Sequence, residues 1–161
     1  MGNHFYTTSA SEVSGSIAQG REMLEGIACY VLPVTSDPQS PVVPFLRLYK
    51  GSIDDHFYTT DQANANIAQQ QDGYTFELIA CNVFDPNRPR PTGTFPLFRA
   101  FNPQTGEHFY TADQDEFNTV LQNGFQKDGI GPERDLCCFV YDLNQASVPQ
   151  GAIPFYRLIR Q

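Results

Sequence analysis

Apolar and polar residues alternate over several short stretches of the chain, and each stretch is bounded by Gly, Pro, Asn, Asp or Ser. In Ile27-Ala28-Cys29-Tyr30-Val31 the alternation puts Ile27, Cys29 and Val31 on one face, which predicts a strand with one buried side. Pro44 to Tyr49 and Phe57 to Thr60 read as two more strands, joined by Lys50-Gly51-Ser52-Ile53-Asp54-Asp55. Elsewhere the period becomes helical. Val13 with Ile17, Ala63 with Ile67, and Phe117 with Val120 and Leu121 predict three short, weakly amphipathic helices. Ser9 with Glu12 and Asp113 with Glu116 have the spacing of a capping box, and Asp61 has Asn64 in the matching slot.

These elements recur. His4-Phe5-Tyr6-Thr7-Thr8 returns as His56-Phe57-Tyr58-Thr59-Thr60 and as His108-Phe109-Tyr110-Thr111-Ala112, 52 residues apart both times. The strand at Cys29 returns at Cys81 and Cys138, and Pro44-Phe45-Leu46-Arg47 returns at Pro96 to Arg99 and Pro154 to Arg157. The last unit ends on its Pro-x-x-Arg strand, whereas the chain begins on the His-Phe-Tyr-Thr strand that should follow it. The first strand is therefore expected to complete the last unit and to cover free sheet edges. The predicted fold is mainly β with short helices: a pseudo-threefold closed ring of three repeats, three-bladed β-propeller-like, with a β-trefoil as the alternative. At 161 residues and 18.1 kDa it is read as one domain over 1–161, with repeat cores 4–55, 56–107 and 108–161.

Composition narrows the function. A net charge of -8 and a pI near 4.6 argue against nucleic acid, whose binding draws on clustered Lys and Arg. The longest apolar run, Ile27 to Leu32, is too short for membrane insertion, since a span takes ~20 residues. No basic-then-apolar leader and no Asn-x-Ser/Thr sequon occur. A cytoplasmic home or release without a signal peptide is expected, or an extracellular one if a signal was removed. The small apolar neighbours of Cys29, Cys81, Cys137 and Cys138 predict buried reduced thiols, with disulfides left open only near the ring axis.

Every residue with notable chemistry is triplicated, and no serine elbow, HExxH or phosphate loop occurs, so no catalytic residue is assigned. Three imidazoles could meet as a trigonal metal site, but each could equally bond within its own unit, and no metal or other cofactor is assigned. In an alternating strand His and Tyr share one face and Phe and Thr the other. Phe5, Phe57 and Phe109 are then expected in the core, leaving His and Tyr on a half-exposed face. Arg47, Arg99 and Arg157 are expected to pair with Glu25, Glu77 and, displaced by one place, Asp135.

Residues 96–111, Pro-Leu-Phe-Arg-Ala-Phe-Asn-Pro-Gln-Thr-Gly-Glu-His-Phe-Tyr-Thr, carry a long motif. The chain resembles the HFYT-repeat family, a domain of unknown function whose repeats read Pro-Leu-(Tyr/Phe)-Arg-Leu-(Tyr/Phe)-Asn-Pro-x-Thr-Gly-(Asp/Glu)-His-Phe-Tyr-Thr-Thr. That resemblance implies an extracellular or surface-associated module of bacteria and fungi, and similar ring-like β-proteins of mushrooms are often lectins. Loop 50–55 departs from the motif by lacking the Asn-Pro of 102–103.

The expected function is that of a non-catalytic carbohydrate-binding protein, a lectin, with up to three similar sugar sites. These would use His4, Tyr6 and Arg157; His56, Tyr58 and Arg47; and His108, Tyr110 and Arg99, together with loops 50–55 and 102–107. Triplication suits multivalent recognition of glycans or glycoproteins, with an oligomer left open. The alternative is a protein-interaction module or protease inhibitor acting through the unrepeated insertion Asp128 to Asp135.

Overall fold

The computed structural model describes residues 2–142 and 148–161. Its elements in chain order are β1 (His4–Thr7), α1 (Ala10–Ala18), β2 (Glu22–Val31), β3 (Val42–Lys50), β4 (Asp55–Thr59), α2 (Gln62–Gln71) and β5 (Thr75–Phe84). They continue as β6 (Thr94–Phe101), β7 (His108–Thr111), α3 (Gln114–Gln122), β8 (Gln126–Lys127), β9 (Leu136–Tyr141) and β10 (Ile153–Arg160). The protein is mainly β with short helices, and none of these helices is long and apolar enough to cross a membrane.

Three antiparallel units repeat one pairing scheme: β4-β3-β5, β7-β6-β9 with β8, and β1-β10-β2. The chain's first strand does pair with its last, and the register matches the internal copies. Tyr6 lies opposite Arg157 as Tyr58 lies opposite Arg47 and Tyr110 opposite Arg99. The units touch through single bridges, Tyr30 to Tyr141, Phe84 to Phe139 and Leu32 to Asn82. The resulting sheet is open, running β1-β10-β2-β9-β5-β3-β4 with β6, β7 and β8 branching from it. The first strand completes the last unit as expected, and among the described residues strand pairing alone does not close the sheet. Among the described residues each of β1, β4 and β7 pairs with one neighbour, so each turns its other edge toward the centre.

Tyrosine hydroxyls satisfy those edges. Tyr58 Oη donates to the Tyr6 carbonyl (2.6 Å) and accepts from the Tyr6 N–H (2.9 Å). Tyr6 Oη does the same at residue 110 (2.8 and 2.9 Å), and Tyr110 Oη at residue 58 (3.1 and 2.7 Å). Six backbone groups that a buried strand edge would otherwise orphan are thereby paired. The three rings pack edge to face, with centroids 5.2–5.6 Å apart. Around them pack Phe45, Leu97 and Phe155, with Cys29, Cys81 and Cys138. All four cysteines are free and buried, as their neighbours predict.

The other face of each inner strand is buried too, under a helix: Phe57 with Ala65 and Ala68, Phe109 with Phe117 and Val120, Phe5 with Val13. Phe5, Phe57 and Phe109 are therefore core as expected, but the half-exposed His/Tyr face is not found. Two helical assignments also change. Ile17 and Ile67 are nearly half exposed (46% and 47%) and Ala63 faces solvent, because α2 buries Ala65 and Ala68 and α1 buries Val13.

Candidate functional site

Each unit's arginine reaches into a cleft shared with a neighbouring unit. Its guanidinium stacks on the phenylalanine of that neighbour's His-Phe-Tyr-Thr strand: Arg47 on Phe5, Arg99 on Phe57 and Arg157 on Phe109, at 5.0, 5.0 and 5.3 Å. The neighbour's helix forms the second wall.

A bulge in the outer strand supplies a carboxylate. Between β3 and β5 the register jumps from Arg47–Leu78 to Leu48–Phe76, leaving Glu77 as the extra residue, and Glu25 is the extra residue between β10 and β2. Glu77 accepts from Arg47 Nε at 3.0 Å and Glu25 from Arg157 Nε at 3.0 Å. In the third copy the ladder runs from Phe98–Leu136 on β9 to Ala100–Lys127 on β8, and Asp128 occupies the bulge slot. Asp128 Oδ2 lies 3.0 Å from Arg99 Nε. Glu25 and Glu77 are the acids the sequence predicts; Asp135 is not, because it meets Arg99 through its backbone, its carbonyl accepting the Arg99 N–H at 3.0 Å, while Asp128 supplies the carboxylate.

The helices supply a second carboxylate to two of the clefts. Glu12 of α1 forks Arg47 through both oxygens (3.1 and 2.9 Å), and Glu116 of α3 forks Arg157 (2.8 and 2.8 Å). These glutamates hold the capping-box position but do not return to the cap. Threonine of the His-Phe-Tyr-Thr strand takes over that role: Thr7, Thr59 and Thr111 Oγ1 accept from the N–H of Ser9, Asp61 and Asp113, each at 3.0 Å. The glutamate is thus released toward arginine. Burial works to raise the carboxyl pKa of Glu12, Glu77 and Glu116, yet bonds to Arg47, His56 and Arg157 outweigh it and hold all three below the usual range. The same contacts hold Arg47 and Arg157 charged against burial.

The imidazoles stand beside the same acids without meeting one another, His56 and His108 lining their clefts and His4 buried behind Glu25. His4 Nε2 faces Glu25 (3.0 Å), His56 Nε2 faces Glu77 (3.3 Å) and His108 Nε2 faces Asp128 (3.6 Å). Buried acids stand behind two of them: Glu107 Oε1 is 2.6 Å from His4 Nδ1, and Asp55 Oδ2 is 2.7 Å from His108 Nδ1. Asp55 also accepts from Tyr74 Oη at 2.6 Å. Asn3 holds the corresponding sequence position in the remaining unit, where it donates instead to the carbonyls of Ile53 (2.5 Å) and Asp54 (3.0 Å). Among the described residues no group of three or more His, Cys, Asp and Glu is arranged to hold a metal ion.

The Arg99 cleft departs from the other two. Asn64 stands where Glu12 and Glu116 stand, so no forking glutamate meets Arg99 from its helix. Arg99 turns inward and donates through Nη1 to the Tyr58 carbonyl (3.1 Å) and through Nε to the Asp128 carbonyl (2.7 Å). Cys137, an alanine in the other two copies, lies beside it. Burial would push that thiol up, but Cys138 and the Arg99 charge bring it below its ordinary value. The cleft spans about 190 Å³ between Phe57, Asn64, Ile67, Tyr74, Arg99 and Asp128. It adjoins a space of about 330 Å³ reaching Lys50 and loop 102–107.

Of the nine residues expected to bind sugar, His4, His56 and His108 and Arg47, Arg99 and Arg157 are brought together at the clefts, one pair to each. Tyr6, Tyr58 and Tyr110 are not: they are at most 1% exposed and their hydroxyls are used up at the centre. Sequence reasoning missed Glu12, Glu116, Asp128, Asp55 and Glu107. The signal for the last two was simple, since each immediately precedes its His-Phe-Tyr-Thr strand. The insertion proposed for a protein partner is folded back on itself, Gly129 N–H to the Arg134 carbonyl (2.8 Å) and Ile130 N–H to the Leu136 carbonyl (2.9 Å).

No curated protein and no solved structure matches the chain. A family model matches it twice, over residues 1–134 and 44–161, and two overlapping matches of that kind suit an internally repeated sequence. That model carries no HFYT name; by it, the chain belongs to the family described as Domain of unknown function (DUF5648).

Proposed function

We propose that the protein is a non-catalytic carbohydrate-binding protein, its three units arranged as a propeller-like ring with one sugar site in each cleft between units. The observation that carries this reading is the make-up of the clefts: planar hydrogen-bonding groups, already fixed by one another, on the walls of surface cavities, with Phe5 and Phe57 lining two of the three. Hydroxyl-rich ligands favour such a surface, because Arg, His and carboxylates prearranged by bonding lose little entropy when a sugar docks. Cleft volumes of about 320, 190 and 170 Å³ around Arg47, Arg99 and Arg157 suit one or two sugar rings. The symmetric cycle of tyrosine hydrogen bonds supports a ring, since each unit satisfies the next. The lowered pKa of Glu12, Glu77 and Glu116 suits these three to holding a ligand as carboxylates, whereas a glycosidase's general acid needs a raised one.

The site residues in this reading are His4, Glu25 and Arg157; His56, Glu77 and Arg47; and His108, Asp128 and Arg99. A glycan array probed with labelled protein should show one bound sugar family, unchanged by EDTA. Glu77→Gln and Asp128→Asn together should weaken that binding at least ~10-fold in a folded protein, the scale of one lost charged hydrogen bond. A blank array from folded protein would remove the reading.

A further inference from the structure

We infer that the Arg99 cleft is a carboxylate site and that its sugar ligand is an acidic one, a uronic or related sugar acid; this rests on the sugar-binding reading for the class of ligand. The protein itself shows what this guanidinium accepts. Arg47 and Arg157 each take two carboxylates, one on Nε from the bulge and one forked across the Nη groups from the helix. Arg99 has the bulge carboxylate, Asp128, but its helix offers Asn64. Its Nη1 donates to the Tyr58 carbonyl at 3.1 Å, so an arginine 7% exposed is left on a cavity wall with Nη2 in place of the forked carboxylate partner that its two counterparts carry among the described residues.

The cavity is shaped to admit that partner from outside. In the Arg47 cleft the helix wall is Glu12, Gly15 and Ser16; in the Arg99 cleft the same positions are Asn64, Ile67 and Ala68. The acid has gone, and an apolar patch with Tyr74 has been added, on which the carbon face of a pyranose can lie. Asn64 keeps both a donor and an acceptor for ring hydroxyls. Asp72 and Asp128 also face the space, while His108 and Lys50 border it. Asp128 at Nε does not exclude a carboxylate on the remaining guanidinium nitrogen, since Arg47 holds Glu12 while Glu77 occupies its Nε. A carboxylate at Arg99 replaces a missing internal ion pair, whereas at Arg47 or Arg157 it would have to displace one.

The decisive variant is Asn64→Glu, which places a carboxylate where Glu12 and Glu116 already fork their arginines and so is expected to fold. NMR titration with sodium glucuronate, glucose and acetate, following the Arg99 Nε–H and the Asn64 side-chain amide, reads the site directly. The expected result is saturable binding of glucuronate at least 10-fold tighter than glucose, lost in Asn64→Glu. Glu12→Asn should add a second glucuronate site at Arg47. Equal glucuronate binding by wild type and Asn64→Glu overturns the inference. So does array binding of neutral sugars alone, unaffected by Asn64→Glu, which would leave the sugar-binding reading standing. Acetate binding as tightly as glucuronate, with a blank array, would uphold the carboxylate subsite and remove the sugar.

Discussion

At the centre of the molecule the three copies of the repeat are the same, and at the clefts one departs from the other two. Tyr6, Tyr58 and Tyr110 make identical bonds, each hydroxyl closing the backbone edge of one neighbour. The clefts, by contrast, hold Glu12 and Glu77 around Arg47, Glu116 and Glu25 around Arg157, and Asp128 alone around Arg99. The difference follows from how each region is connected. A change at one central tyrosine strands groups on another unit, so the three are interdependent. A change in one cleft touches one arginine, so the clefts are free to diverge, and divergence is where distinct ligands can arise.

The sharpest way to break this comparison is to remove one central hydroxyl. Tyr58→Phe leaves the Tyr6 N–H and carbonyl buried without a partner while keeping the ring contacts. At about 1–3 kcal/mol for each of the two orphaned groups, a loss of about 2–6 kcal/mol is expected in urea unfolding. Tyr6→Phe and Tyr110→Phe should cost about the same. Unequal losses among the three would mean that the centre is no more symmetric than the clefts.

The centre was only half legible in the sequence. Spacing of the His-Phe-Tyr-Thr copies located the inner strands, and the split last unit indicated that β1 pairs with β10. The tyrosines were placed on a half-exposed face because alternation assumes that one side of a strand meets solvent. Strands buried on both faces break that assumption, and here helices cover Phe5, Phe57 and Phe109 while the tyrosines face one another. Asp128 was missed for a different reason. Counting back from Cys138 lands inside the insertion, beside Asp135, whereas counting forward from His108 lands on Gly129, next to Asp128 in the bulge slot. The pairing of Glu12 with Arg47 joins residues 35 apart on different units, and no local pattern announces it.

A smaller effect separates the clefts from one another. Glu116→Gln removes a charged fork from Arg157, but the carboxylate is 35% exposed, so solvent screening limits the loss to about 1 kcal/mol. Asn64→Ala, at the same position in the Arg99 cleft, should stay within about 0.5 kcal/mol, because no ion pair is lost there. Urea midpoints of the two variants test this; equal losses would mean that Asn64 supports Arg99 as firmly as the glutamates support their arginines.

The smallest effect is carried by protons. Glu12, Glu77 and Glu116 have folded pKa values below their ordinary 4.5, so the folded state binds protons less readily than the unfolded chain does. Their stabilisation is therefore complete above about pH 4.5 and is lost as the pH falls through the lower folded values. Urea midpoints should stay level from pH 7 to 5 and then drop. Since these three acids lie in the Arg47 and Arg157 clefts, a Glu12→Gln, Glu116→Gln protein should begin lower and fall less steeply on acidification. Parallel acid limbs for wild type and the double variant would place the acid sensitivity elsewhere, and the two filled clefts would then differ from the Arg99 cleft in geometry alone.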